Sequence, residues 1–127
     1  MSNALENGLF EAAKSSDLEK INEMLELGAD VNAKSDDMDK TALILAANYD
    51  QLEAIKALLA KGADVKAQDT CGQTALLHAV YRDNIAIIKE LVKAGSDLNA
   101  KNSDGKTVME VAMGQSNIEV IKALKGK

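Results

Sequence analysis

One phrase of the sequence keeps coming back. Gly28-Ala29-Asp30-Val31-Asn32-Ala33 returns as Gly62-Ala63-Asp64-Val65-Lys66-Ala67, and again as Gly95-Ser96-Asp97-Leu98-Asn99-Ala100. A second anchor, Thr41-Ala42-Leu43, is matched by Thr74-Ala75-Leu76 and Thr107-Val108-Met109, with the threonines 33 residues apart each time. The glycines are 34 and then 33 apart, so one extra residue lies between Ala33 and Thr41. A chain with this period builds one supersecondary unit several times, and each unit buries its apolar side only by stacking on its neighbours. Four registers, about 7–40, 41–73, 74–106 and 107–127, predict one domain over residues 1–127.

Within the registers the apolar positions form columns. Ile21, Ile55, Ile88 and Ile121 share one, and Ala12, Ala46, Ala79 and Ala112 another. Leu18, Leu52, Ile85 and Ile118 fill a third; Met24, Leu58, Leu91 and Leu124 fill a fourth. Spacings of three and four put these residues on one face of two short helices per unit. Met109 and Met113 fall in the same apolar pattern and read as gap-filling core. Aromatic residues make up only 2% of the chain, with no Trp and no Pro, so the core is built from Ala, Leu, Ile and Val in closely packed helices. The glycines after each second helix suit a left-handed cap, Glu19, Glu53 and Glu119 suit the positive end of the second helix, and Gly72 and Gly105 read as turn residues between units.

The pattern resembles the ankyrin repeat, whose unit is about 33 residues of β-turn plus two helices. Thr74-Ala75-Leu76-Leu77-His78-Ala79 is similar to the family's T-P-L-H-x-A, and residues 28–33 match its link from second helix to hairpin. The likeness covers about 120 of the 127 residues. It implies an all-α repeat solenoid of helix-turn-helix units joined by β-hairpin fingers. No unit keeps the family's Pro, and its inter-helix Gly is replaced by Ser16, Asp50, Asp83 and Ser116. Asp tolerates left-handed backbone moderately and Ser less so.

The end units differ from the inner ones. Ile44 and Leu77 become Glu110 in the last unit, and Leu25, Leu59 and Val92 become Lys125; Glu11 answers Leu45, His78 and Val111 in the first, and Lys20 answers Ala54, Ile87 and Val120. Polar outer faces are what the terminal units of a solenoid need, so the expectation is a finished array that is monomeric on its own. A formal charge of −5 argues against nucleic acid, which recruits basic surface. No apolar run approaches the roughly 20 residues of a membrane span, and no secretory leader is visible. The expected location is the cytoplasm, with no membrane association.

The residues that carry chemistry elsewhere have structural readings here. Ala100 through Gly105-Lys106-Thr107 imitates a phosphate-binding loop, but it aligns with Ala67 through Gly72-Gln73-Thr74 and is the repeat's own turn. Asp104-Gly105 with Glu110 lacks most of the oxygen ligands of a calcium loop. One Cys excludes an intramolecular disulfide, and with a single His it argues against a Cys/His zinc site. His78 falls in an apolar column and reads as a packed, hydrogen-bonded histidine. Cys71 sits at a finger tip with no histidine near it in sequence, and Asp36, Asp37 and Asp39 read as a solvated tip. No active site and no cofactor are expected.

The resemblance implies recognition of other proteins through the fingers and the concave face of the first helices. The positions of this sequence that fall there include Met38, Lys40, Asn48, Tyr49, Cys71, Gln73, Tyr81, Arg82, Lys106 and Gln115. Neither tyrosine stands in a repeated apolar column, and Tyr and Arg are common anchors at interfaces. Met38 and Cys71 share one finger position in adjacent units. The expected function is a non-enzymatic protein-protein interaction module, adaptor or inhibitor, built around Met38, Tyr49, Cys71, Tyr81 and Arg82. The alternatives are a small enzyme-like or ligand-binding protein, which needs a polar pocket, and a self-assembling structural protein, which polar ends oppose.

Overall fold

Every unit after the first begins on its threonine. Thr41, Thr74 and Thr107 take extended backbone, and their hydroxyls accept hydrogen bonds from the N–H groups of Ile44, Leu77 and Glu110. Capping of this kind is worth about 1 kcal/mol per helix. Each cap opens the first helix of a pair. The computed structural model, which describes residues 4–126, contains α1 (Ala4–Ser15), α2 (Leu18–Glu26), α3 (Ala42–Asn48), α4 (Leu52–Ala60), α5 (Ala75–Tyr81), α6 (Ile85–Lys93), α7 (Val108–Gln115) and α8 (Ile118–Leu124). The odd-numbered helices stack on one another in order, the even-numbered ones do the same, and the two rows pack together. This is an all-α repeat solenoid.

The turn inside each pair is left-handed. Ser16, Asp50, Asp83 and Ser116 have φ of 56°, 60°, 55° and 58°. A side chain in that region costs roughly 1–2 kcal/mol relative to the right-handed helix, partly recovered by the lower entropy of the unfolded chain compared with glycine. Ser16→Gly is therefore expected to raise stability by about 0.5–1 kcal/mol, read as a higher urea midpoint. Asp50 and Asp83 are less suitable targets, because their carboxylates bind the next unit.

The second helices start on Asp17, Asn84 and Asn117, whose side chains cap α2, α6 and α8. Gln51 makes no such cap on α4; its amide donates instead to the Lys14 carbonyl of the preceding unit at 2.7 Å. Gly28, Gly62 and Gly95 close α2, α4 and α6 at φ of 108°, 88° and 94°, values that side chains rarely adopt.

The columns become the core. Ile21, Ile55 and Ile88 are fully buried, as are the alanines at 12, 46, 79 and 112, which let the first helices approach closely. Met109 is half-buried against this core, but Met113 is 62% exposed, which corrects its assignment to the interior. Its counterparts Ala13, Ala47 and Val80 are buried because the next unit covers them, and Met113 has no such cover. Ile118 is 65% exposed although Leu52 and Ile85 in its column are half-buried. The column pattern identifies positions that a neighbour covers; it does not show whether the neighbour is there.

One buried hydroxyl lacks a partner. Ser96 Oγ is enclosed and makes no hydrogen bond, at the position where the earlier units carry Ala29 and Ala63. An unsatisfied buried hydroxyl costs about 1–3 kcal/mol. Ser96→Ala should therefore stabilise the chain by about 1 kcal/mol, seen as a later denaturation midpoint with unchanged slope. Among the described residues no helix is long and apolar enough to cross a membrane.

Candidate partner-binding groove

Between the units the chain makes short fingers, and each is closed by its own first residue. Asp69 Oδ1 accepts from the N–H groups of Cys71 and Gln73 at 2.9 and 3.0 Å. Asn102 Oδ1 does the same for Asp104 and Lys106 at 2.9 and 3.0 Å. In the first finger Ser35 Oγ accepts from Lys40 N–H at 3.1 Å and donates to the Asp37 carbonyl at 2.8 Å. The fingers are hairpin turns with little ladder: the described residues contain one isolated antiparallel bridge, Lys101 to Thr107, and no strand. Gly72 and Gly105 occupy the left-handed turn position at φ of 78° each. The extra residue of the first finger changes its turn, and Met38 and Asp39 take φ of 66° and 55° without a glycine.

Neighbouring fingers are fastened to one another. Thr70 N–H donates to the Met38 carbonyl at 2.9 Å, and Lys34 Nζ to the Gln68 carbonyl at 2.8 Å. Asp64 N–H donates to Asn32 Oδ1 at 2.7 Å. The fingers bearing Met38 and Cys71 are therefore adjacent, with Met38 41% exposed and Cys71 also exposed.

His78 is packed and hydrogen-bonded, and its partner is Asp69, whose Oδ2 lies 3.0 Å from Nε2. The Asp69 side chain is 3% exposed and that of His78 13%. One carboxylate thus closes a finger with one oxygen and binds the following first helix with the other. The sequence carries one trace of this pair. In the next unit Asn102 replaces Asp69 and Val111 replaces His78, so both members of the pair change together. Asn102 Nδ2 turns back to the Tyr81 hydroxyl at 2.9 Å instead.

The remaining candidates fall into two groups. Arg82 and Gln115 tie units together. Arg82 donates to Asp50 Oδ2 through Nη2 at 2.8 Å and Nε at 3.3 Å, and Asn84 adds a bond to Oδ1 at 3.3 Å. The Arg82 hydrogen bonds hold the Asp50 carboxyl below the usual carboxylate range, although burial pulls the other way. A depressed carboxyl stabilises the fold above its unfolded pKa and loses that contribution as pH falls through the folded value. Both side chains are about half exposed, so solvent screens the effect. Gln115 Nε2 donates to the Val80 carbonyl and to Asp83 Oδ1, both at 2.9 Å.

The second group lines two notches at the finger bases. Tyr49 and Tyr81 are 47% and 43% exposed, each beside a notch between a finger and the first helices. The Tyr49 notch, about 110 Å³, is also lined by Phe10, Leu45, Asn48 and Lys40, and Lys14 Nζ lies 5.9 Å from the ring centroid. The Tyr81 notch, about 250 Å³, is shared with Lys106, Glu110 and Gln115. Gln73 is half-buried at the base of its finger. Thus Lys40, Asn48 and Tyr49 line one notch, and Tyr81, Lys106 and Gln115 line the other.

Comparison with known proteins agrees with this architecture. A family model described as ankyrin repeats (3 copies) matches residues 2–69 and 56–127. The ankyrin repeat protein YahD of Escherichia coli is 43% identical over 61 residues, which is 47% of this chain and 30% of YahD. Human neurogenic locus notch homolog protein 2 is 40% identical over 63 residues, 50% of this chain and 2% of that protein. The Notch protein of Drosophila melanogaster is 42% identical over 53 residues, 42% of this chain and again 2% of the relative. The chain thus spans less than a third of these relatives. Ankyrin repeats are in general protein-protein interaction modules without enzymatic activity. Threonine-capped helix pairs stacked in two rows, left-handed turns within each pair, fingers between pairs and a family model matching nearly every residue all agree, and this chain belongs to the ankyrin repeat family.

Proposed function

We propose that this chain is a non-enzymatic adaptor or inhibitor whose single domain, residues 1–127, works as a cytoplasmic monomer and holds a partner protein in the concave groove. The observation that carries this reading is the placement of the tyrosines. In a chain with 2% aromatic residues, both tyrosines lie half exposed beside notches at the finger bases rather than in the core. Large aromatic side chains on an exposed surface supply much contact area for little lost rotamer entropy. The array holding them is already ordered, so binding need not pay to order it. Met38, Cys71 and Gln73 continue the surface along the fingers, while Arg82 remains 48% exposed despite its bond to Asp50.

The enzyme-like alternative has less support. The two groove notches, about 110 and 250 Å³, are smaller than the roughly 300–1,000 Å³ of small-molecule sites. The two hollows that reach that range, about 370 Å³ beside Leu25 and Lys61 and about 390 Å³ beside Lys89 and Gly126, are open surface depressions with no cysteine, histidine or serine in their lining. The one imidazole already faces a buried carboxylate. Capture of the partner on immobilised protein, followed by titration with Tyr81→Ala, tests the proposal. The substitution is expected to weaken binding about tenfold or more, with an unchanged denaturation midpoint. Binding within twofold of the parent moves the site away from this groove. A thermal shift of several degrees with a nucleotide or a divalent metal would favour the ligand-binding alternative instead.

A further inference from the structure

The groove also indicates what kind of segment fits it. We propose that the partner presents an extended, basic stretch of chain, with two apolar side chains set in the tyrosine-lined notches and lysine or arginine side chains between and around them. This rests on the groove reading above.

Spacing comes first. The Tyr49 notch lies where the first unit meets the second, and the Tyr81 notch where the third meets the fourth. Stacked helices sit about 8–10 Å apart, which places the notches roughly 20 Å from each other. An extended chain covers that distance in about six residues.

The notch walls give the anchors. Phe10 and Leu45, each 5% exposed, form an apolar floor beside Tyr49, suited to an aliphatic or aromatic side chain. At the other notch the Tyr81 oxygen already accepts from Asn102, so its own proton is directed to another acceptor, such as a carbonyl of the passing backbone.

Charge decides the flanks. Residues 1–40 carry ten carboxylates against four lysines, whereas the remaining 87 residues carry ten against eleven. Residues 1–40 are therefore net −6 and the rest net +1, and the first finger holds Asp36, Asp37 and Asp39, of which Asp37 lines the Tyr49 notch. Two cations on this side are engaged, Lys14 with Glu11 at 3.3 Å and Arg82 with Asp50 at 2.8 Å. Among the described residues no cation pairs with Asp37, Asp39 or Asp104. Lys14 and Lys40 line the Tyr49 notch with Asp37, and Asp39 stands next to Lys40 on the same finger; at the Tyr81 notch Lys106 is set against Asp104 and Glu110. An acidic segment, or a phosphate backbone, would meet like charge along the acidic first finger and from Asp104 and Glu110 at the Tyr81 notch.

The test uses three labelled peptides about ten residues long, each with two leucines six positions apart. The intervening and flanking positions are lysine in one, glutamate in the second, and serine and glutamine in the third. Fluorescence anisotropy at low salt should show the lysine peptide binding about tenfold tighter than the glutamate peptide, with the margin shrinking as salt rises. Asp37→Asn/Asp39→Asn should cost the lysine peptide about threefold, and Tyr49→Ala about tenfold. Equal binding of all three peptides, or preference for glutamate, with sensitivity to Tyr49→Ala kept, overturns the basic-segment inference and leaves the groove standing. Binding of the lysine peptide that survives both Tyr49→Ala and Tyr81→Ala removes the groove reading as well. No binding of any peptide at about 1 mM overturns the inference.

Discussion

Truncating Ile88 to alanine is expected to destabilise the protein by about 2–5 kcal/mol. The side chain is fully buried in α6, which packs between α4 and α8, so the cavity opens inside the stack rather than at its edge. Domains of this size hold only about 5–15 kcal/mol in total, so the loss is a large share of what keeps the array folded. In a stack where each unit contacts only its neighbours, stability is a sum of unit and interface contributions. Damage to an inner unit weakens two interfaces at once. Urea denaturation followed by helical circular dichroism should show a much lower midpoint and a broadened transition, as the two ends of the array begin to unfold separately. Ile121→Ala is the control, since that residue occupies the same column but is half-buried in the last unit. It should cost clearly less. Equal losses at the two positions would mean that the units do not share a common core.

The sequence made the architecture legible because one energetic requirement was repeated in register. The Ile21, Ile55, Ile88 column has one meaning in every unit, so each copy supports the reading of the others. The threonines were visible as anchors, but their role as helix caps needed coordinates. Single-copy features were harder. The Asp69–His78 pair occurs once, and nothing else in the chain repeats it; its only trace is the joint change to Asn102 and Val111. Met113 was misread for the opposite reason. Its column is apolar in every unit, but the burial of Ala47 and Val80 depends on a following unit. Which positions fall on fingers and first helices was legible, while the use of Arg82 and Gln115 in unit-to-unit bonds was not. A side chain that reaches sideways to the next repeat leaves no periodic mark.

Lys125→Leu is the substitution expected to alter the behaviour of the whole molecule. Lys125 is exposed just after α8, in the column where Leu25, Leu59 and Val92 are half-buried against the core. On the same end unit Met113 and Ile118 are already 62% and 65% exposed. Replacing the ammonium with leucine enlarges this apolar area toward the few hundred Å² at which surfaces begin to associate. Head-to-tail stacking of two copies in register would set Lys125 against Lys20 and Glu110 against Glu11, since odd helices pack on odd and even on even. Like charges in contact oppose that arrangement, and Lys125→Leu removes one of the two repulsive pairs. Glu110→Leu is a poorer probe, because Glu110 also caps its own helix by accepting from Thr107 N–H at 3.0 Å, and its loss would weaken α7. For Lys125→Leu the denaturation midpoint at low concentration should stay close to that of the parent. Sedimentation velocity should nevertheless show a mass rising above 13.5 kDa with concentration, while the parent stays near it. A variant that sediments as one species across the same range would mean that this lysine does not keep the end face free.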